Sequence, residues 1–227
     1  MKSKILIFTS VIILTGYTAC KKSSVKNINE GEIHYNIIYN GRVGSIPIEL
    51  MPGRMVVKFK DSKTMFELTS PIGNNGISNI IDPQEKTVET YIRMLGMKYL
   101  YTGSINDVPP GIDPMPDMIL NKTDRTAEIL GLKCKHAIAE LPGSDFRFDL
   151  WYTDEISIDD PNYSTPFREI DGVLISFFYR MGEMIVEFEA DGVYMRPITD
   201  KDFQKTEKFR QISRDDMDSI ISTMMSL

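Results

Sequence analysis

Apolar and polar side chains alternate with a period of two through most of the chain after residue 30, which restricts it to strands with two unlike faces. Ile33, Tyr35, Ile37 and Tyr39 share one face of a first strand, with Glu32, His34 and Asn36 opposite. Met55 to Lys60 turns at Asp61-Ser62 into Thr64 to Thr69. Ile77 to Ile81 is a short apolar run closed by Asp82-Pro83, and Thr87 to Met94 turns near Leu95-Gly96 into Met97 to Thr102. Strands resume at Arg125 to Leu130, Leu132 to Leu141, Phe146 to Thr153, Val173 to Arg180 and Glu183 to Ala190. Asp191-Gly192 then predicts a tight turn into Val193 to Arg196. About ten or eleven strands joined by short connections make an antiparallel meander rather than βαβ units.

Helix is scarce in this pattern. Ile46 to Met51 has room for a turn or two. Pro109, Pro110, Pro114 and Pro116 crowd residues 106–121, read as an irregular excursion with a short helix from Asp117 and as a candidate lid. Pro161 to Phe167 is a second long connection. The clearest helix is the last one. Ser213 and Asp216 fit an acidic capping box, Ile212 and Met217 a hydrophobic staple, and Met217, Ile220, Ile221, Met224 and Met225 one apolar face.

The N-terminus follows other rules. Lys2 and Lys4 precede an apolar run from Ile5 to Leu14, broken only at Thr9-Ser10. It is about ten residues long, against the roughly 20 that cross a bilayer. Small residues then lead to Cys20, and Thr15 to Cys20 resembles a bacterial lipobox, with Tyr17 where that pattern usually carries an aliphatic residue. The resemblance implies a signal peptide over residues 1–19 and lipidation of Cys20 with palmitate-type acyl chains. Residues 20–30, polar and aperiodic, read as a flexible tether, leaving one domain over 31–227. By the same resemblance, Lys21 rather than Asp after the cysteine points to the outer membrane. The basic tether favours its periplasmic side over the cell surface.

Composition removes several classes of function. The net charge is −6, and loss of Lys2 and Lys4 with the signal would make it −8. With no basic cluster after residue 26, nucleic acid is not expected as a partner. The second cysteine, Cys134, would have no partner once Cys20 is lipidated, so no disulfide framework is expected. Cys134 and His136 share a strand face, but a metal site needs further ligands and the only other histidine is His34, so core packing is the expectation. Asp159-Asp160 and Asp215-Asp216 are adjacent residues that diverge on their elements, and no nucleophile elbow or phosphate loop occurs. Neither catalysis nor a cofactor is expected, and the domain is expected to be a monomer.

Several segments resemble a family of bacterial lipoproteins and periplasmic proteins defined as a domain of unknown function. They are Gly31-Glu32-Ile33-His34-Tyr35, Glu128 to Ala137 with an Ile-x-Gly-x-x-Cys pattern, and Leu150-Trp151-Tyr152-Thr153. The Ile80-Ile81-Asp82 turn and the Phe203 to Ile212 approach to the last helix fit the same order. Such families sit near the LolA-like lipoprotein carriers. That resemblance implies a mainly β fold, a single curved antiparallel sheet or half-barrel with helices over its concave side, and a cavity for acyl chains or another hydrophobic ligand. Tyr99, Tyr101, Phe148, Trp151, Phe177 and Tyr179 are the candidate lining residues. Methionines, among them Met55, Met65, Met94, Met97, Met115, Met118, Met181 and Met184, suit either an adaptable pocket or an ordinary soft core, and the aromatic faces either line a cavity or fill a core. Two functions follow: a membrane-anchored binder of lipid, or a scaffold whose solid sheet docks a protein partner.

Overall fold

The computed structural model describes residues 28–40, 49, 51–71, 75–182 and 184–226. The expected signal peptide, Cys20 and most of the tether lie outside the described residues, as does nearly all of the Ile46–Met51 segment. Twelve strands form one sheet: β1 (Glu30–Asn40), β2 (Arg54–Lys60), β3 (Lys63–Thr69), β4 (Gly76–Asp82), β5 (Thr87–Met94), β6 (Met97–Ser104), β7 (Ile119–Ile129), β8 (Leu132–Glu140), β9 (Arg147–Thr153), β10 (Val173–Met181), β11 (Met184–Tyr194) and β12 (Arg210–Gln211). The spatial order is β12-β6-β5-β4-β3-β2-β1-β11-β10-β9-β8-β7, antiparallel except where β12 joins β6. The sheet is curved and open, not closed into a barrel. A short 3-10 turn at Asp200–Phe203 precedes β12, and among the described residues one α-helix, α1 (Arg214–Ser226), follows the sheet.

The alternation places the core. Ile33 and Tyr35 of β1, Met55, Val57 and Phe59 of β2 and Phe188 of β11 are buried on one face, and register pairing carries the same face through Leu68, Ile77 and Ile92. Helix α1 covers the far part of this concave face, with Met217 and Ile221 packed on Ile92 beside Tyr99 and Tyr101. The Ser213 hydroxyl accepts the Asp216 N–H at 3.1 Å and donates to its carboxylate at 2.7 Å, and Ile212 and Met217 both join that cluster. The expected helix start is therefore present.

Three details depart from the sequence reading. No helix begins at Asp117. β7 starts at Ile119, six residues before the expected strand, because Ile119 to Lys122 pair with Ala137 to Glu140. Asp191-Gly192 does not turn the chain: β11 runs through it, Gly192 pairing His34 while Ala190 pairs Tyr35, so Asp191 is the extra residue of a β-bulge. Finally, Ile28, in the expected tether, is buried and bridges Ile156. Among the described residues every buried one lies between Ile28 and Ile221, so a chain starting at Lys21 keeps the whole described core.

Candidate functional site

β1, β3, β5 and β10 end, and β2, β4, β6 and β11 begin, at the same end of the sheet. Among the described residues nothing fills the concave face between these strand ends. A cavity of about 230 Å³ opens there. Met51, Met94, Met181 and Met224 contribute thioethers to its wall, and Tyr39, Leu68, Ile77, Leu95 and Val186 complete most of the rest. Among the described residues that line it none is charged, and the polar side chains are Tyr39, Ser70 and Asn75. The Tyr39 hydroxyl is already used, donating to the Pro52 carbonyl at 2.7 Å, and burial pushes its pKa up. Asn75 accepts the Leu95 N–H at 2.9 Å and so ties the β5–β6 turn to the β3–β4 connection at the mouth.

A smaller void of about 40 Å³ shares Leu68, Ile77 and Met181 with the main cavity and leads inward to Asn79 and Tyr179. Part of its polar wall is already engaged: the buried Thr90 hydroxyl donates to Asn79 at 2.7 Å, and the Thr165 hydroxyl to the Asn162 carbonyl at 2.9 Å. Pro109, Pro110 and Ile112 close it from the proline-rich segment. That segment is pinned rather than loose. The Arg180 guanidinium donates to Asp113 at 2.9 Å, Arg214 to the Val108 carbonyl, and Gly111, at φ +83°, packs so closely on Ile221 that a Cβ would fall 2.7 Å from it.

The aromatic candidates go elsewhere. Phe177 and Tyr179 are buried and stack with Phe188, Tyr35 and Phe167, filling the half of the concave face under β1, β10 and β11. Phe148 meets Phe146 and Phe178 in the same assembly. Tyr99 and Tyr101 lie beneath α1. Trp151 stands on the opposite face of β9, tilted on His136 at 4.7 Å with the Arg125 guanidinium over its ring. Of the six, only Tyr179 reaches a void contiguous with the main cavity. The methionine pattern named two of the lining residues, Met94 and Met181. The signal that finds the others is position: apolar side chains at strand ends, where loops rather than neighbouring strands must cover them.

Cys134 and His136 are both wholly buried. Asp149 Oδ1 lies 2.7 Å from His136 Nε2 and Thr123 Oγ1 lies 2.8 Å from Nδ1. The His136 ring holds the Asp149 carboxyl below the usual range. An ionised Asp149 can only accept, so Nε2–H donates to it, and Arg125 Nη1 lies 3.2 Å from the same nitrogen. Among the described residues no group of three or more His, Cys, Asp or Glu could hold a metal ion. No helix among them is long and apolar enough to cross a membrane.

No family model and no curated protein matches the chain. Among solved structures, two crystal forms of PNGF-II align at 13% and 12% identity with TM-scores of 0.53 and 0.56. The alignments cover 86% of this chain but only 33% and 34% of theirs, so this chain spans about a third of their length. LprF from Mycobacterium bovis aligns at 14% identity over 77% of this chain and 89% of its own, with a TM-score of 0.29. At these identities the likeness to PNGF-II is one of fold alone.

Proposed function

We propose that this chain is a lipid-anchored, periplasmic outer-membrane protein that binds the uncharged part of a hydrophobic ligand, an acyl chain being the simplest, without catalysing a reaction. The observation that carries the reading is the methionine-lined cavity at one end of the sheet, whose described lining residues carry no charge. At about 230 Å³ it exceeds the engineered apolar cavities of roughly 150 Å³ that bind benzene. It falls short of the 300 Å³ or so at which whole drug-sized ligands begin to fit, so it suits part of one chain rather than a complete lipid. Affinity would come from burial, about 0.8 kcal/mol per methylene before the costs of ordering. Four methionines let the wall adapt to chains of differing shape. The lipobox-like residues before Cys20 supply the anchor in this reading, and Lys21 the outer-membrane placement.

The test uses protein beginning at Lys21 and a fluorescent fatty-acid analogue. The native cavity takes up the probe, and Met181→Trp or Ile77→Trp, which fill it, weaken uptake at least tenfold, about 1.4 kcal/mol, while the fold is kept. Delipidated protein that neither binds the probe nor purifies with lipid would overturn the proposal.

A further inference from the structure

The cavity mouth is built like a surface that enters a bilayer. The β5–β6 connection is a two-residue turn in which both residues have positive φ, Leu95 at +49° and Gly96 at +82°. Asn or Asp before Gly satisfies such a turn, whereas a bulky apolar residue strains it. Leu95 is nevertheless 78% exposed, and Met97, one step on, is 43% exposed. Neither turn geometry nor core burial accounts for an apolar side chain at this tip. Leu95 also lines the cavity mouth, so the tip and the binding site are continuous.

Behind the tip lie four cations of β5, β6 and the segment beside β6. Arg93 and Lys98 pair across the hairpin and share a single carboxylate, Glu207, at 3.0 and 3.3 Å. Lys208 and Arg210, on the segment beside β6, are exposed and form no ion pair among the described residues; Arg210 lies in register with Tyr99. Among the described residues of this edge that is four cations against one carboxylate, in a chain of net charge −6. Apolar tip first, cations one layer back: this sequence of layers matches hydrocarbon followed by anionic headgroups.

We propose that this end of the protein docks on an anionic lipid bilayer, inserting Leu95 and Met97 so that the ligand passes between membrane and cavity without crossing water. The inference rests on the cavity reading above. The opposite end of the molecule provides an internal control. Leu130-Gly131 forms the same kind of turn between β7 and β8, with φ of +53° and +73° and Leu130 43% exposed, but away from the cavity.

Flotation of the chain from Lys21 with phosphatidylglycerol-containing and pure phosphatidylcholine vesicles tests it. Binding prefers the anionic vesicles and weakens in high salt. Leu95→Asn, which relaxes the turn, lowers the vesicle-bound fraction at least fivefold without loss of thermal stability, and Leu130→Asn leaves it unchanged. Met97→Ser and the pair Lys208→Glu with Arg210→Glu also lower flotation, yet keep uptake of the fluorescent probe in solution because none of these residues lines the cavity. Wild-type protein that fails to float, or a Leu95→Asn variant that floats equally well, overturns docking. A self-association that Leu95→Asn abolishes overturns it too, assigning the tip to a second copy. Probe uptake without flotation removes docking alone; flotation without probe uptake removes the cavity reading alone.

Discussion

Cys134 shows how far burial alone sets chemistry in this chain. Its thiol points into the core toward the Leu132 carbonyl, and burial pushes its pKa up to about 11. At pH 8 only on the order of one thiol in a thousand is then the reactive thiolate, and reagent cannot reach even that fraction. In protein starting at Lys21, where Cys134 is the sole cysteine, a disulfide reagent labels nothing in the native state and one thiol per chain on denaturation. Labelling at the native rate of a free thiol would contradict the packing. The expectation that Cys134 and His136 pack is met, but sequence did not show why a histidine is tolerated there. Its partners Thr123 and Arg125 come from β7 on one side of β8 and Asp149 from β9 on the other. Spacing within one strand reveals which side chains share a face; it carries nothing about which neighbours will satisfy them.

The same boundary recurs among the elements. Strand positions follow from alternation because each strand needs one apolar face, and the last helix follows from Ser213, Asp216 and the Ile212–Met217 staple, all local features. Replacing Ser213 by Ala removes the acceptor for the Asp216 N–H and costs about 1 kcal/mol. Because α1 carries Met224 to the cavity wall, fraying at this end also weakens probe uptake while leaving the β signal in far-UV circular dichroism intact. A drop in stability with no change in uptake would show that the helix closes nothing. Asp191-Gly192 misled for a physical reason. The dipeptide permits both a tight turn and a bulge, and the choice is made by β1, whose long pairing with β11 continues on both sides of it. Gly192 serves there by lacking a side chain, since a Cβ would meet the Tyr194 ring at 2.6 Å. The candidate site was legible only in part. A cavity between strand ends depends on curvature and on how loops close over it, whereas aromatic residues at regular strand positions meet one another and fill space.

At the scale of the whole molecule, the sheet is held in its curved form partly by straps whose anchors are carboxylates. Arg196 binds Glu32 and Asp202, fastening residues 195–203 across the outer face, where Ile198 and Phe203 cover Met65 and Ile80. Lys205 continues that strap to Glu67 at 2.7 Å, and Arg180 fastens the proline-rich segment to Asp113. The hydrogen bond from Arg196 lowers the pKa of Glu32, and that from Arg180 lowers Asp113. At Glu67 burial works in the opposite direction, but Lys205 and Lys58 outweigh it. Asp202, held first by the Thr199 backbone N–H and hydroxyl and then by Arg196, is brought down to about 2. A carboxyl whose folded pKa lies below its unfolded value stabilises the fold above the unfolded value, and that contribution disappears as pH falls through the folded one. The loss therefore falls between about pH 4.5 and 2, with little change from pH 5 to 8. Each pair is partly solvated and individually weak, so the straps should release before the sheet, which is held by backbone pairing and the buried aromatic assembly. Hydrogen exchange at pH 3 and pH 6 distinguishes the two. Amides of residues 195–209 and 106–115 lose protection at pH 3 while β1, β10 and β11 keep theirs. Uniform loss across the chain would mean that the straps and the sheet are a single cooperative unit, and equal protection at both pH values would mean that these ion pairs hold nothing.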